Sequence, residues 1–382
     1  MTSDQLRPGF ETNHRRPPLK WPNLIFLSMT PLAAALGLCL LWSELNWAHV
    51  ILLLFFYSIS NLAITVGYHR YFSHRSYKVQ PFIEWIFALI GAGSWQGSAL
   101  QWSTDHRRHH RKVDSHEDPY SVREGFWHAH LGWLLREDTH PHRELFPADL
   151  FSKPAVRFQH KYYLPLAVIF GFGLPTLVGW LCGFSAASSF LMGGILRVVL
   201  SQHSTFLINS AAHFFGQQPY TDSNSARDSF WLAFLTFGEG YHNFHHLFQS
   251  DYRNGVRWYH WDPSKWIIKG LSATGLASRL VRAPEKEILR ARLEMQLKNA
   301  ASRGANFERL IALRDRLQLA HTQFLAVRNE YRTEFQSAQI RAHQAYREKL
   351  AELELARAEF RGALNAWNAY VQSWCRLSPV RA

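Results

Sequence analysis

Apolar residues along this chain fall in long blocks, not in the short stripes of a water-soluble protein. Four blocks, residues 24–43, 48–67, 163–182 and 188–212, are long enough to cross a bilayer, because a hydrocarbon core needs about 20 helical residues at about 1.5 Å each. A fifth stretch, PFIEWIFALIGAGSWQGSAL at 81–100, contains Glu84, three glycines and Gln96. It is expected to lie partly in the membrane or at its surface. From residue 284 the pattern changes: Leu310, Leu313, Leu317, Ala320, Phe324, Val327 and Tyr331 step mainly by three and four, and no Pro or Gly interrupts 305–361. This predicts one long helix or a helical hairpin after SRGAN at 302–306. The seam changes phase before Leu350, Leu353, Phe360, Leu364 and Trp367, as at a coiled-coil discontinuity. Docking, oligomerisation and packing of a stalk on its own chain are all compatible with it. The fold class is therefore all-α and integral to the membrane. It divides into an N-terminal segment 1–23, a membrane domain 24–283 with a helical cap, and a helical or coiled-coil extension 284–382.

Charge sets the orientation. The connections SELNW and GFSAA, after the first and third blocks, carry no Lys or Arg, whereas the N-terminus has Arg7, Arg15, Arg16 and Lys20. By the positive-inside rule the blocks form two hairpins, with both termini, residues 68–162 and everything after 213 on the cytoplasmic side. The 15 Trp fit a protein anchored at two interfaces. A net charge of +13 suits anionic headgroups or an acidic partner, and the basic residues are scattered about the membrane blocks without forming a recognition helix, which argues against nucleic acid. Cys39 and Cys182 lie in apolar blocks and Cys375 near the end, so neither a disulfide framework nor a cysteine zinc site is readable. The first apolar block lacks a convincing cleavage site and reads as a retained anchor. Arg197, inside the fourth block, serves either function or a structural hydrogen bond.

Candidate chemistry is concentrated in histidines. DHRRHH at 105–110 and EGYHNFHH at 239–246 share one spacing: His106, His109 and His110, then His242, His245 and His246. Positions i, i+3 and i+4 of a helix lie within about 100° of one another, so each triplet is expected to present three imidazoles to one place. Asn209 and His213 share a helical face at the end of the fourth block. His69 and His74, in HRYFSH, are five apart, about 140° on an ideal helix, and converge only if the helix bends or ends between them. Nine histidines and one Asn on one side of the membrane exceed the coordination number of one metal and suffice for two. Imidazole suits iron, zinc, copper and nickel alike. Asp105 and Glu239, which flank the triplets, are the favoured acceptors for the second ring nitrogens, ahead of Asp114, Glu117 and Asp118. His116, His128, His130, His140, His142 and His203 have no partnered pattern.

HRYFSH, HRRHH and HNFHH in this order, with NSAAHFFG before the third, resemble the membrane fatty acyl desaturases of the stearoyl-CoA Δ9 type. The likeness runs over about residues 45–270 and includes DPYSVREGFWHAHLGWLL and DYRNGVRWYHWDP. The resemblance implies two iron ions held by His69, His74, His106, His109, His110, His213, His242, His245 and His246, with Asn209 acting through water. It implies removal of two hydrogens from adjacent methylenes with O2, leaving a cis double bond. It places Gln96, Trp102 and Thr205 around a bent substrate tunnel; interfacial anchoring for Trp102 and helix hydrogen bonding for the other two are the alternatives. Leu53 and Tyr57 would set tunnel depth, or pack against lipid.

The chain departs from the animal enzymes at the tunnel mouth. Thr104 stands where a basic residue commonly precedes the Asp of the second motif, and Glu137 follows Arg136. Arg123, Arg136 and Arg253 remain as phosphate partners for an acyl-CoA, the favoured substrate; an acyl-lipid or acyl-carrier-protein substrate stays open. With no HPGG haem motif in the chain, a separate electron donor, a ferredoxin-like protein or reductase, is implied. The expected location is a bacterial inner membrane. Competing readings are a hydroxylase on the same metal site and a histidine-based metal transporter or sensor. The latter would need ionisable residues through the spans, and apart from Arg197 and His203 the four spans offer little of that kind.

Overall fold

In the computed structural model, which describes residues 17–138, 146–336 and 343–374, four helices among the described residues are long and apolar enough to cross a membrane: Trp21–Glu44, Trp47–Ser73, Tyr163–Leu181 and Ala186–Phe214. His140, His142, Cys375, Arg7, Arg15 and Arg16 lie outside the described residues. The first two spans form one hairpin and the last two another. Their turns meet at one end, where Ser185 donates to the Glu44 carboxylate (2.8 Å) and His49 Nε2 contacts Ser188 (3.0 Å). At the other end Lys20 N donates to Leu135 O (2.9 Å), which puts the N-terminal approach beside the cap. The fifth apolar stretch does not cross: its helix, Pro81–Ala92, has 12 residues, about 18 Å against the roughly 30 Å required. The chain then turns into the helix Ala99–Lys112.

Two of the sequence ambiguities are resolved by backbone hydrogen bonding. The second span ends in a π-helical segment, Ala63–Ser73, in which each bond closes over five residues. His74 N donates to His69 O (3.1 Å), so two histidines five apart sit one above the other. Arg197 is fully buried and acts structurally. Its guanidinium donates to Gly193 O (3.1 Å), to Gly93 O (2.7 Å) and to Gly171 O, tying the turn after Pro81–Ala92 to the third and fourth spans. The approach is so close that a Cβ on Gly93 would lie 2.8 Å from the backbone of Phe170.

The cap packs on a core that includes Tyr68, Phe72, Tyr77, Leu100, Val156 and Ile268. The extension has its own core. Helices Phe307–Gln336 and His343–Val371 run antiparallel, with Phe324 stacked on Phe360 (5.7 Å) and Asn306 N donating to Tyr370 OH (3.1 Å). Leu293, Leu310, Leu317 and Trp367 are fully buried between these helices and Glu285–Ala301. The hairpin alternative therefore holds: the two stretches of the seam lie on two helices that pack on each other. Lys298 pairs with Asp222 to join the extension to the cap.

Replacing Arg197 by Leu strands three buried carbonyls, each costing about 1–3 kcal/mol when unpaired. The variant is expected to lose at least about 3 kcal/mol, with Arg197→Lys recovering only part; thermal unfolding in detergent measures it. An unshifted midpoint in the Leu variant would contradict the role of Arg197.

Candidate metal centre

The helix Ala99–Lys112 starts at Ser98, whose hydroxyl accepts from Gln101 N (3.2 Å), and it delivers His106, His109 and His110 to the interior of the cap. A second short helix, His242–Leu247, faces it with His242, His245 and His246. His69 and His74 arrive from the π-helical end of the second span, and His213 from the end of the fourth. The nine imidazoles form two groups. His69, His74, His106, His110 and His245 present one nitrogen each within 4.8 Å of one another, and His109, His213, His242 and His246 do the same. This corrects the expectation that each triplet serves one place. Each helix splits its triplet, sending two histidines one turn apart to one group and the third to the other, because i+3 and i+4 diverge to either side of i.

Within the groups Nε2 faces Nε2. His69 to His245 is 2.9 Å, His245 to His110 3.0 Å and His74 to His106 2.8 Å. In the other group His109 to His246 is 3.2 Å, His246 to His242 3.1 Å and His242 to His213 3.0 Å. An imidazole nitrogen carries either one proton or one lone pair, so nitrogens that meet two others in this way cannot all be satisfied by hydrogen bonds. Nitrogens about 2.1 Å from a shared cation and at right angles to one another would stand roughly 3.0 Å apart. The residues present thus fit two metal ions.

The outer nitrogens of His69, His109 and His213 are fixed by buried partners. A Glu239 oxygen lies 2.8 Å from His69 Nδ1, an Asp118 oxygen 2.9 Å from His109 Nδ1, and the Ser225 hydroxyl 2.7 Å from His213 Nδ1. Ser225 in turn donates to Asp114 through N (2.6 Å) and its hydroxyl (2.5 Å). Glu239 was legible from its place beside the third motif. For His109 the carboxylate is Asp118, while Asp105 lines the main cavity. Arg70 was missed, although it stands inside HRYFSH. It is fully buried and donates to Glu239 (3.0 Å), to Asp262 (3.2 Å) and to Tyr252 O (2.9 Å). Asn254 Nδ2 also donates to Glu239 (2.7 Å). Burial works to raise the Glu239 carboxyl, but neighbouring His69 and Arg70 outweigh it and hold it at about 2.

Burial first, and the repulsion of neighbouring rings second, lowers His74, His106, His110, His245 and His246 well below 6.5 and His242 to about 3. Neutral imidazoles with a free lone pair are what metal binding needs.

A cavity of about 1010 Å³ reaches the site from the cap side, past Lys20 and Arg136 to Gln96, Trp102, Thr205 and Asn209. A smaller chamber continues from Trp102, Thr205 and Asn209 to His69, His106, Asn61 and Thr65. Gln96 Nε2 donates to Thr205 Oγ1 (3.0 Å), and Trp102 stacks on His106 (4.9 Å, 20°). Arg136 lines the cavity and donates to Pro17 O (2.8 Å), Arg123 is exposed outside the lining, and Arg253 is paired with Asp251 (2.8 Å). Leu53 packs with Leu191 and Met192, and Tyr57 donates to Leu235 O (2.9 Å); neither lines the two cavities. His130 and His203, without pattern in sequence, pair with each other (3.1 Å).

A model of the fatty acid desaturase family matches residues 45–279. The chain belongs to that family. It is 40% identical over 282 residues to a probable acyl-CoA desaturase of Schizosaccharomyces pombe, covering 73% of this chain and 58% of that protein. It is 35% identical over 291 residues to stearoyl-CoA desaturase 5 of Homo sapiens, covering 74% and 86%, and 33% identical over 275 residues to the sn-1 stearoyl-lipid 9-desaturase of Anabaena variabilis, covering 71% and 97%. The chain thus spans little more than half the length of the yeast protein and nearly all of the cyanobacterial desaturase. The family match ends before the helical extension begins.

Two outcomes follow. Asp118→Asn should weaken metal retention in the group containing His109, and Glu239→Gln in the group containing His69, each by about 10–100-fold, read as metal content after challenge with a chelator; unchanged retention would contradict the partner roles. In the metal-free protein the unfolded histidines take up protons before the folded ones as pH falls, because the folded values are lowered. Stability is therefore full above 6.5 and declines toward about 3, the value of His242. Denaturant unfolding at pH values between about 7.5 and 5 measures this, and a flat profile would contradict it.

Proposed function

We propose that this chain is an O2-dependent fatty acyl desaturase that inserts a cis double bond, at Δ9, into a saturated long-chain acyl group. The observation that carries the proposal is the cavity that passes Gln96, Trp102 and Thr205 and continues to His69 and His106. The name of a relative, the sn-1 stearoyl-lipid 9-desaturase of Anabaena variabilis, supports this bond position.

The nine clustered histidines would hold two iron ions, with Asn209, on the cavity wall, acting through water. When bound, the irons would supply, with O2, the power to oxidise two adjacent methylenes. What the chain itself contributes is placement. The Gln96–Thr205 hydrogen bond joins the segment before Ala99–Lys112 to the fourth span across the cavity. Trp102, stacked on His106, presents an apolar face to an acyl chain beside the histidines. An acyl chain in the cavity also excludes water from the buried imidazoles. Tyr57 and Leu53 would act on tunnel depth from behind the wall, through the elements they hold.

An acyl-CoA is the favoured substrate by the relatives' names. Lys20 and Arg136 stand at the rim as partners for its phosphates and Arg123 stands outside it, but Glu124, Glu137 and Asp138 share the rim. That mixture keeps an acyl-lipid carrier in play. Desaturation takes two electrons from the acyl chain, and reduction of O2 to two waters takes four, so two more come from an external donor. An acidic ferredoxin-like protein or reductase suits the basic chain. The cap and both termini face the cytoplasm, in keeping with Lys20 and the Lys- and Arg-free turns at the opposite end, and the membrane is a bacterial inner membrane. The helices Glu285–Ala301, Phe307–Gln336 and His343–Val371 make a unit that recruits the donor or pairs two chains; Leu319 and Leu355 are exposed on it.

Expression in a host, with gas chromatography and mass spectrometry of derivatised fatty acids, tests the reading. A new cis-Δ9 monoene from the unmutated chain, absent with His245→Ala, is the expected result. A hydroxy acid instead would assign a hydroxylase, and no new product from metal-loaded protein supplied with donor and O2 would refute the desaturase.

A further inference from the structure

The segment between the fourth span and the third histidine motif carries a surface that the metal site does not use. Residues 229–238, SFWLAFLTFG, contain no ionisable side chain. Their helix, Phe230–Leu235, buries Leu232 and Ala233 but turns Phe230 (54% exposed), Trp231 (77%), Phe234 (52%) and Leu235 (50%) outward. Large apolar side chains gain by leaving water, so water is a poor neighbour for four of them on six residues. The patch continues onto Phe214 and Phe215 at the end of the fourth span, where Gln217 pairs with Asp228, next to the helix.

Its depth can be read from one hydrogen bond. Tyr57 OH donates to Leu235 O (2.9 Å). Tyr57 stands ten residues along the second span from Trp47, about 15 Å at 1.5 Å per residue, or about halfway through a 30 Å hydrocarbon core. The carbonyl at the end of the short helix therefore meets a side chain of the span where a water-exposed helix would meet solvent. The neighbouring backbone groups are satisfied in the same way. Ser229 Oγ accepts from Leu232 N (3.4 Å), Thr236 Oγ1 donates to Leu232 O (2.6 Å), and Gly238 N donates to Ala233 O (2.9 Å). Internal satisfaction of this kind is the condition for irregular backbone at membrane depth.

We infer that Phe230–Leu235 is a fifth membrane-embedded element, a half-inserted helix whose Phe230, Trp231, Phe234 and Leu235 lie among the acyl chains of the leaflet on the cap's side. Its partner is lipid hydrocarbon, and the surface is continuous with the lipid face of the fourth span. Glu239 and His242 follow it directly, so insertion fixes the height of the third histidine motif relative to the spans.

The test uses the full chain in lipid nanodiscs, with Cys39, Cys182 and Cys375 changed to Ser and one nitroxide attached at Trp231→Cys. Collisions with O2 and with a water-soluble nickel chelate are measured by power-saturation electron paramagnetic resonance. Leu32→Cys, on the exposed face of the first span, is the lipid reference, and His116→Cys, fully exposed on the cap, is the water reference. The label at 231 is expected to match Leu32, with O2 collisions several-fold above nickel collisions. Nickel collisions equal to those at His116 would overturn the inference. Phe234→Cys repeats the measurement if the Trp231 variant does not fold, and the same two outcomes decide.

Discussion

Crowding nine imidazoles into two groups is the constraint on which the rest of this structure depends. Left to themselves, facing ring nitrogens 2.8–3.2 Å apart repel wherever two lone pairs or two protons meet. Burial lowers the pKa of His74, His106, His110, His242, His245 and His246, and Glu239, Asp118 and Ser225 pin the outer nitrogens of His69, His109 and His213. Those acceptors are themselves held. Arg70, enclosed by Glu239, Asp262 and the Tyr252 carbonyl, closes a buried ionic group in which removing Arg70 itself strands two carboxylates, a loss of about 3–5 kcal/mol. The histidines are thus the inner layer of a polar core whose outer layer is equally buried.

Membrane and cap are joined by backbone that departs from the α-helix. The π-helical end of the second span carries His69 and His74 out of the bilayer in the orientation that a regular helix would deny them. Further π-helical segments, Ile169–Gly173 and Phe190–Leu196, lie where Arg197 and the glycines bring three elements together. In hydrocarbon such irregularities persist only where their polar groups find partners within the protein, and the Arg197 guanidinium is one such partner. A similar partner stands at the end of Phe230–Leu235, where Tyr57 donates to the Leu235 carbonyl.

Much of this was legible in the chain. The four spans, their hairpin pairing and the gathering of nine histidines follow from block length and spacing alone. The hairpin of the extension was one of two forms that periodicity allowed. What stayed hidden was long-range. A triplet at i, i+3 and i+4 does not reveal that it feeds two groups, since that depends on the second helix facing it. Asp118 is nine residues from His109 and reaches it through a loop, whereas Asp105, adjacent to its motif, was the better guess by proximity. Arg70 offered one readable signal, a charge between two histidines in an otherwise aromatic segment, but its partners lie 169–192 residues away. The exposed face of FWLAFL was too short to register as a membrane element by length.

The most direct measurement is anomalous diffraction at the iron edge from crystals of the iron-loaded protein. Two peaks are predicted, one enclosed by His69, His74, His106, His110 and His245 and the other by His109, His213, His242 and His246. A single peak, or density away from these rings, would contradict a two-metal centre and with it the reason for the crowding.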